Sequence, residues 1–383
     1  MGTDRSTGRV EAHLFERAIP FWVDAAVGAD GLAHEEFDFD GHPRETGYRR
    51  SMVQFRQIYF LSQAALLGRA PAEKACALFG RVCDLAWHPA GGWVHRLTPQ
   101  GDIADDTRDT YDQAFGLLAC AWTYALDGRD QTLAWAHKAL EHLDHAMTGA
   151  QGGYVEALPP RLPRRQNPHM HLFEAFLALY EVSGDAVFSA RADAMAALLK
   201  SRFLSERGGL REYFGETWQA ADGNLADVIE PGHHFEWIWL LYEHARLAKR
   251  PLDPAADDLL RFAVDHGLNA EGLAIEQVDS AGVPHKRSIK LWALAEQLKA
   301  QVVRAEHAGL AHDPACDAVI SAIFEHCLLP HATAPVWFEG ISEDKQPDRR
   351  RMPMSTLYHL TLSFVEFLRW KGRVPRVLAR KSR

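Results

Sequence analysis

The sequence predicts an all-α fold, an (α/α)6 barrel in which a ring of inner helices is enclosed by a ring of outer ones, with short β-hairpin loops between them. Three observations predict it: a recurring glycine-led motif, paired helical stretches between its copies, and a polar cluster at the start of alternate helices.

The motif is a glycine pair followed by an alternating aromatic–polar stretch. It reads Gly91-Gly92-Trp93-Val94-His95, Gly152-Gly153-Tyr154-Val155-Glu156 and Gly208-Gly209-Leu210-Arg211-Glu212, with weaker copies at Gly272–Glu276 and Ala334–Glu339. Copies recur roughly every 55 to 65 residues, a period that signals a repeat architecture. Glycine permits the positive φ of a tight turn, and brief alternation suits a hairpin arm.

Between the copies lie apolar residues at helical spacing, predicting helices over Tyr111–Leu126, His169–Val182, His234–Leu247 and Leu291–Val303. Partner helices are expected over Ala72–Leu85, Gln131–Leu143 and Ala186–Leu199, after the turns Leu67–Pro71, Asp127–Asp130 and Ser183–Asp185. Glycine ending one helix and Asp or Pro opening the next is the expected stop and start chemistry. The unit is helix, tight turn, helix, glycine loop, and about six fit in 383 residues. Such pairs form an open solenoid or a closed toroid. The terminal units lack a polar cap, and open helical arrays use shorter repeats, about 34 to 47 residues, without glycine loops. The toroid is therefore expected, with residues 1–383 as a single catalytic domain, since no linker divides the chain.

Composition narrows the function. Hydrophobic residues are 47% and charged residues 24%, enough for a substantial core. A net charge of −9 argues against a nucleic-acid partner, which calls for a basic stripe. No apolar run reaches membrane-spanning length, and no signal-peptide core follows Met1. The residues Met1–Ser6 match a myristoylation pattern, read as coincidence. Five cysteines without CxxC spacing read as reduced thiols. The expectation is a cytoplasmic protein, monomer or homodimer, with neither nucleic acid nor membrane as partner.

The polar clusters are Arg56–Tyr59, Tyr111–Phe115, Asn167–Ala175, Pro231–Trp237, Leu291–Glu296 and Leu357–Leu360, again one per repeat. In a closed ring all six face one pocket. At these residues the sequence resembles the N-acylglucosamine 2-epimerase superfamily, which also holds cellobiose 2-epimerases, mannose isomerases and sulfoquinovose isomerases. The resemblance runs from about Arg56 to Glu366 and is most specific at Pro231–Trp237 and Tyr358-His359. It implies an (α/α)6 barrel, with His233 and His359 as an acid/base pair, Arg56 as an essential arginine and Glu236 as the carboxylate beside the first histidine. It further implies sugar-binding positions at Tyr111, Asn167, His171, Trp237 and Trp292. The stretch Asn167–His171 departs from both the mannose-isomerase and the cellobiose-epimerase patterns.

The implied chemistry suits these residue types. The hydrogen on C2 of an open-chain aldose is a weak acid, and its removal near neutrality calls for a base of matching pKa, which histidine supplies. Arg56 and His171 provide positive charge or donors for the enediolate oxygens. Glu236, three residues after His233, is expected on the same helical face, fixing that imidazole. The expected reaction is aldose–ketose isomerisation of the D-mannose/D-fructose type. The alternatives are 2-epimerisation of a free or N-acylated aldose or disaccharide, and an (α/α)6 glycoside hydrolase using Glu174, Glu236 or Glu296. Glu174 and Glu296 also belong to the candidate substrate-binding set, but read more readily as buried ties between inner helices than as catalytic groups. A phosphorylated sugar would draw on Arg161, Arg164, Arg165, Lys286 and Arg287. No cofactor is expected, and no metal, although His169-x-His171 and His233-His234 imitate ligand spacing; His234 is read as structural.

Overall fold

A computed structural model describes residues 2–329 and 332–378. Among these, twelve helices form two concentric rings. The inner ring consists of Ser51–Leu66, Thr110–Asp127, Asn167–Ser183, Pro231–Ala248, Leu291–His307 and Thr356–Trp370. The outer ring consists of residues 2–25, Ala72–Ala86, Asp130–His142, Ala186–Leu198, Ala255–His266 and Pro314–Ala322, four of them carrying a π-helical turn.

Patterning explains the layers. Ala72–Ala86 buries Ala75, Leu78, Phe79, Val82, Cys83 and Ala86, one apolar stripe for a helix covered on one side. Ser51–Leu66 is buried continuously from Ser51 to Ala64, because outer helices cover its back while neighbours and the ring centre cover the rest. Each inner helix packs on the next, and Thr356–Trp370 returns against Ser51–Leu66. The closure is bonded: Arg56 Nη1 donates to the Ser355 carbonyl at 2.9 Å and Gln57 Nε2 to that of Met354 at 2.9 Å. Strand Glu36–Phe37 also pairs antiparallel with Met352–Pro353, so the two ends of the repeat meet.

Every glycine motif forms the expected turn, bridged at Trp87/Trp93, Thr148/Tyr154, Leu204/Leu210, Leu268/Ala274 and Leu328/Trp337. A sixth, at Val27/Ala33, is absent from the sequence reading because its glycines, Gly28 and Gly31, are not adjacent. Five of these turns are pinned to an inner helix by a side chain that takes the place of a partner strand. The backbone N–H of Ala33, Trp93 and Ala274 donates to Gln54, Gln113 and Gln297 at 2.7, 2.8 and 3.0 Å. That of Tyr154 and Leu210 donates to His169 Nε2 and His234 Nε2 at 2.9 and 3.1 Å. Burial lowers both imidazoles to about 3, so they accept as neutral rings. His234 is structural, as its sequence neighbours suggested, and His169 shares that role.

Two other histidines differ from the sequence reading, which left them solvated. His142 is buried beneath Gly92, whose φ of 81° lets the chain pass where a Cβ would meet the ring Nε2 at 2.5 Å. His95 donates to Asp112 Oδ2 at 2.7 Å. Among the described residues no helix is long and apolar enough to cross a membrane, and all five cysteines are free thiols.

Candidate active site

The residue two positions beyond each bridge follows one rule: it reaches the start of an inner helix. Glu35 binds Arg50, His95 binds Asp112, Glu156 binds Arg165, Glu212 binds His233, Glu276 binds Ser288 and Glu339 binds Thr356. The hairpins thus hold the helix starts, and the mouth they surround opens into a cavity of about 220 Å³. Of the residues expected to bind or react, Arg56, Tyr111, Asn167 and His171 line this cavity on one side, and His233, Glu236, Trp292 and His359 complete it.

His233 and His359 both turn Nδ1 onto a buried carboxylate. His233 Nδ1 lies 2.9 Å from Glu212 Oε1, with Glu230 Oε2 at 3.6 Å. His359 Nδ1 lies 2.7 Å from Glu296 Oε1. The bond at Nδ1 directs Nε2 of each ring away from its carboxylate, and His233 Nε2 lies 3.1 Å from Asn167 Nδ2. The indole of Trp292 sits between them, 4.8 Å from the His233 ring and 6.0 Å from that of His359.

Their surroundings push them apart electrically. Burial works against the charged form of His233, but Glu212, then Glu230 and Glu236, hold it up to about 9. Burial lowers His359 well below the usual histidine range, and Arg56, Lys299 and His171 add to the effect. One ring rests as imidazolium and the other as neutral imidazole, the division of labour an acid and a base require.

Arg56 projects from the first inner helix. Its Nη2 donates to the Tyr111 hydroxyl at 2.8 Å, and its guanidinium lies over the rings of Phe115 and Tyr358 at 4.3 and 5.0 Å. Planar stacking and fixed donors keep this charge aimed into the cavity. His171 Nδ1 lies 3.0 Å from Glu174 Oε2, and burial lowers that imidazole to about 4.

Three expected site residues stand behind the cavity wall. Trp237 is fully buried, stacks on Phe173 and donates Nε1–H to Gln166 Oε1 at 2.8 Å. Glu174 accepts from the Tyr358 hydroxyl, and Glu296 holds His359. Both carboxylates therefore tie inner helices together. Glu236 needs a correction of role: the carboxylates on His233 Nδ1 are Glu212 and Glu230. His233 lies in the first turn of its helix and faces the hairpin, whereas Glu236 lies one turn deeper and faces His171 at 3.8 Å. Neither Glu236 oxygen has a hydrogen-bond partner among the described residues. Burial, then the neighbouring Glu296 and Glu174, raise this carboxyl well above its usual range.

Sequence reasoning missed Glu212, Glu230, Glu339 and Lys299. Glu212 was visible as the last residue of the third glycine motif. Lys299, three residues after Glu296, is fully buried, 2.6 Å from Glu296 Oε2 and 4.0 Å over the Trp239 ring.

His171, Glu174 and Glu236, and likewise Glu236, Glu296 and His359, place ligand atoms within 4.8 Å of one another. The spacing would suit an ion, but among the described residues only Glu236 of these carboxylate donors is unbonded: Glu174 is engaged by His171 and Tyr358, and Glu296 by His359 and the Lys299 ammonium. Basic residues that would seat a phosphate are engaged too. Arg161 pairs with Asp109, Arg165 with Asp109 and Glu156, Lys286 and Lys290 with Glu276, and Arg287 with Glu343. Arg164 stacks on Trp218 and donates to the backbone carbonyls of Gly152, Tyr154 and Glu216.

Comparison with known proteins identifies the family and the fold. The family model described as N-acylglucosamine 2-epimerase (GlcNAc 2-epimerase) matches residues 31–363. A mannose-6-phosphate isomerase of Rhizobium meliloti is 30% identical over 96% of this chain and 98% of its own. A D-mannose isomerase of Thermobifida fusca is 30% identical over 75% of this chain and 76% of its own. The solved structure of cellobiose 2-epimerase from Bacillus thermoamylovorans superposes with a TM-score of 0.82 at 16% identity, covering 94% of this chain and 99% of that one. That likeness carries the fold, the (α/α)6 barrel.

Proposed function

The chain belongs to the N-acylglucosamine 2-epimerase family of sugar isomerases and epimerases, and we propose that it interconverts an unphosphorylated aldohexose of the D-mannose type with its ketose. The observation that carries this reading is the pair of imidazoles in different protonation states, His233 charged and His359 neutral, lining one cavity with Arg56. The ring is read as one catalytic unit spanning the chain.

In this mechanism His233, as imidazolium, donates to the pyranose ring oxygen while the O1 hydroxyl gives up its proton, which returns His233 to the imidazolium that Glu212 stabilises. His359 then takes the C2 proton at Nε2. The electrons move onto the former aldehyde oxygen, and Arg56 binds the enediolate. The proton on O2 passes to O1, and His359, its Nε2 proton exchanged with solvent, protonates C1 to give the ketose. Proton transfer of this kind is worth about 10²- to 10⁴-fold in rate.

Two features support a neutral substrate. The cavity wall carries the carboxyls of Glu230, Glu236 and Glu339 beside two cations, Arg56 and the imidazolium of His233, and the basic residues expected for a phosphate are paired with carboxylates or backbone. The relative named for mannose 6-phosphate makes the phosphorylated hexose the necessary comparison. A second reading, 2-epimerisation, is supported by a histidine on each side of Trp292, which could return the proton to the opposite face of C2. The hydrolase reading loses support because Glu174 and Glu296 stand behind the wall. Incubation with D-mannose, D-fructose, D-glucose and cellobiose in D2O, followed by NMR, tests the proposal. A ketose product with deuterium at C1 is expected; a C2 epimer alone selects the second reading.

A further inference from the structure

Lys299 has no part in the reaction just described, yet it is fully buried at the centre of the ring. An ammonium group so placed is costly unless its partners are fixed and charged. Its nearest partner is Glu296, whose Oε2 lies 2.6 Å from Nζ and whose Oε1 lies 2.7 Å from His359 Nδ1. The three groups form a line from lysine through carboxylate to imidazole. We propose that Lys299 is a positioning residue of this site: it keeps the Glu296 carboxylate charged and oriented on His359 Nδ1–H, so that the lone pair at His359 Nε2 faces the substrate.

The surroundings explain why a carboxylate alone would not suffice. Burial drives the Glu296 carboxyl toward its protonated form, and Lys299 is the main influence opposing that. A protonated Glu296 could donate to His359 Nδ1 and turn the ring to the wrong tautomer, with the proton on Nε2. Lys299 itself stays charged against burial through Glu296, Glu236 and Glu174. His359 is faced by Arg56 from the first inner helix, His171 and Glu174 from the third, Glu236 from the fourth and Glu296 and Lys299 from the fifth. Among the cations, Arg56 reaches the cavity, while Lys299 lies behind the wall and acts through Glu296.

This inference rests on the reading of His359 as the proton-transfer group, and the test separates the two. The full-length protein is compared with Lys299→Met, Glu296→Gln and the double variant. The expected result for Lys299→Met is a kcat lower by about 10- to 100-fold, a KM within about threefold, and an acid limb of kcat/KM displaced to higher pH. The double variant should be no slower than the slower single variant, because both substitutions break one relay. It also removes both buried charges together, so it reports even where Lys299→Met alone does not fold. An unmoved acid limb, losses that multiply in the double variant, or a double variant with wild-type kcat and pH profile would overturn the proposal. Histidine ¹⁵N NMR supplies a readout that needs no turnover. His359 should carry its proton on Nδ1 in the parent and shift toward Nε2 in Lys299→Met; identical spectra would overturn the inference. An inactive parent with the expected spectra would count against the catalytic reading alone.

Discussion

Glu212 Oε1 lies 2.9 Å from His233 Nδ1, although the two residues sit on different structural elements, a hairpin turn and the first turn of an inner helix. The contact is one instance of the sixfold rule by which the residue after each glycine turn grips a helix start. A repeat that elsewhere only fastens the ring here orients a reactive imidazole.

Glu212→Gln should therefore change the alkaline side of the pH profile. His233 is held up to about 9 from 6.5, so the imidazolium persists to alkaline pH in the parent. Losing the carboxylate lowers that value and moves the alkaline limb of kcat/KM downward. The same contact is linked to stability. A raised folded-state pKa contributes stability that is complete below 6.5 and is lost as pH rises through about 9. The parent should lose melting temperature across that window and Glu212→Gln much less of it, as calorimetry at several pH values would register. Coincident alkaline limbs would refute the assignment.

His359→Ala should reduce C2–H exchange in D2O by about 10²- to 10⁴-fold while leaving sugar binding measurable by calorimetric titration. Exchange at the parent rate would exclude His359 as the base.

D-Mannose should be a better substrate than D-mannose 6-phosphate, judged by kcat/KM, because the phosphate would enter a wall lined by Glu230, Glu236 and Glu339. A preference for the phosphate would mean that one of the rim arginines leaves its carboxylate on binding. Glu156→Gln, which frees Arg165 from one of its two partners, would then raise activity on the phosphate.

Exhaustive EDTA treatment should leave turnover unchanged, since Lys299 and Tyr358 already engage Glu296 and Glu174, leaving Glu236 as a single unbonded carboxyl among the described candidate ligands. Activity lost to EDTA and regained with a divalent ion would replace the proposed mechanism.

Gly116→Ala should destabilise the barrel by about 1–3 kcal/mol, the usual cost of overpacking a core. A Cβ there would lie 2.3 Å from the Trp93 ring, and Gln113 pins the Trp93 backbone at 2.8 Å. Urea denaturation would measure the change, and an unchanged midpoint would mean that the turn yields.

The helices expected over Tyr111–Leu126, His169–Val182 and Ala186–Leu199 occur at Thr110–Asp127, Asn167–Ser183 and Ala186–Leu198. They were legible because apolar spacing, a glycine stop at Gly128 or Gly184 and an Asp cap at Asp185 all act within one or two turns of chain. Residues that face the cavity, such as Arg56, His233 and His359, were legible because they open alternate helices in a regular repeat. Roles were less so. Glu236 read as the partner of His233 from its spacing, and nothing in local spacing marked Lys299.

The sequence by itself thus determined the helix pairs, their period and the set of polar groups to be gathered, since each is written in local spacing. Only the closed ring decided which carboxylate meets which histidine, which lysine is buried, and why His233 is charged while His359 is neutral. Those outcomes depend on residues some 20 to 300 positions apart sharing a site shielded from water, where electrostatic interactions over a few ångströms are strong.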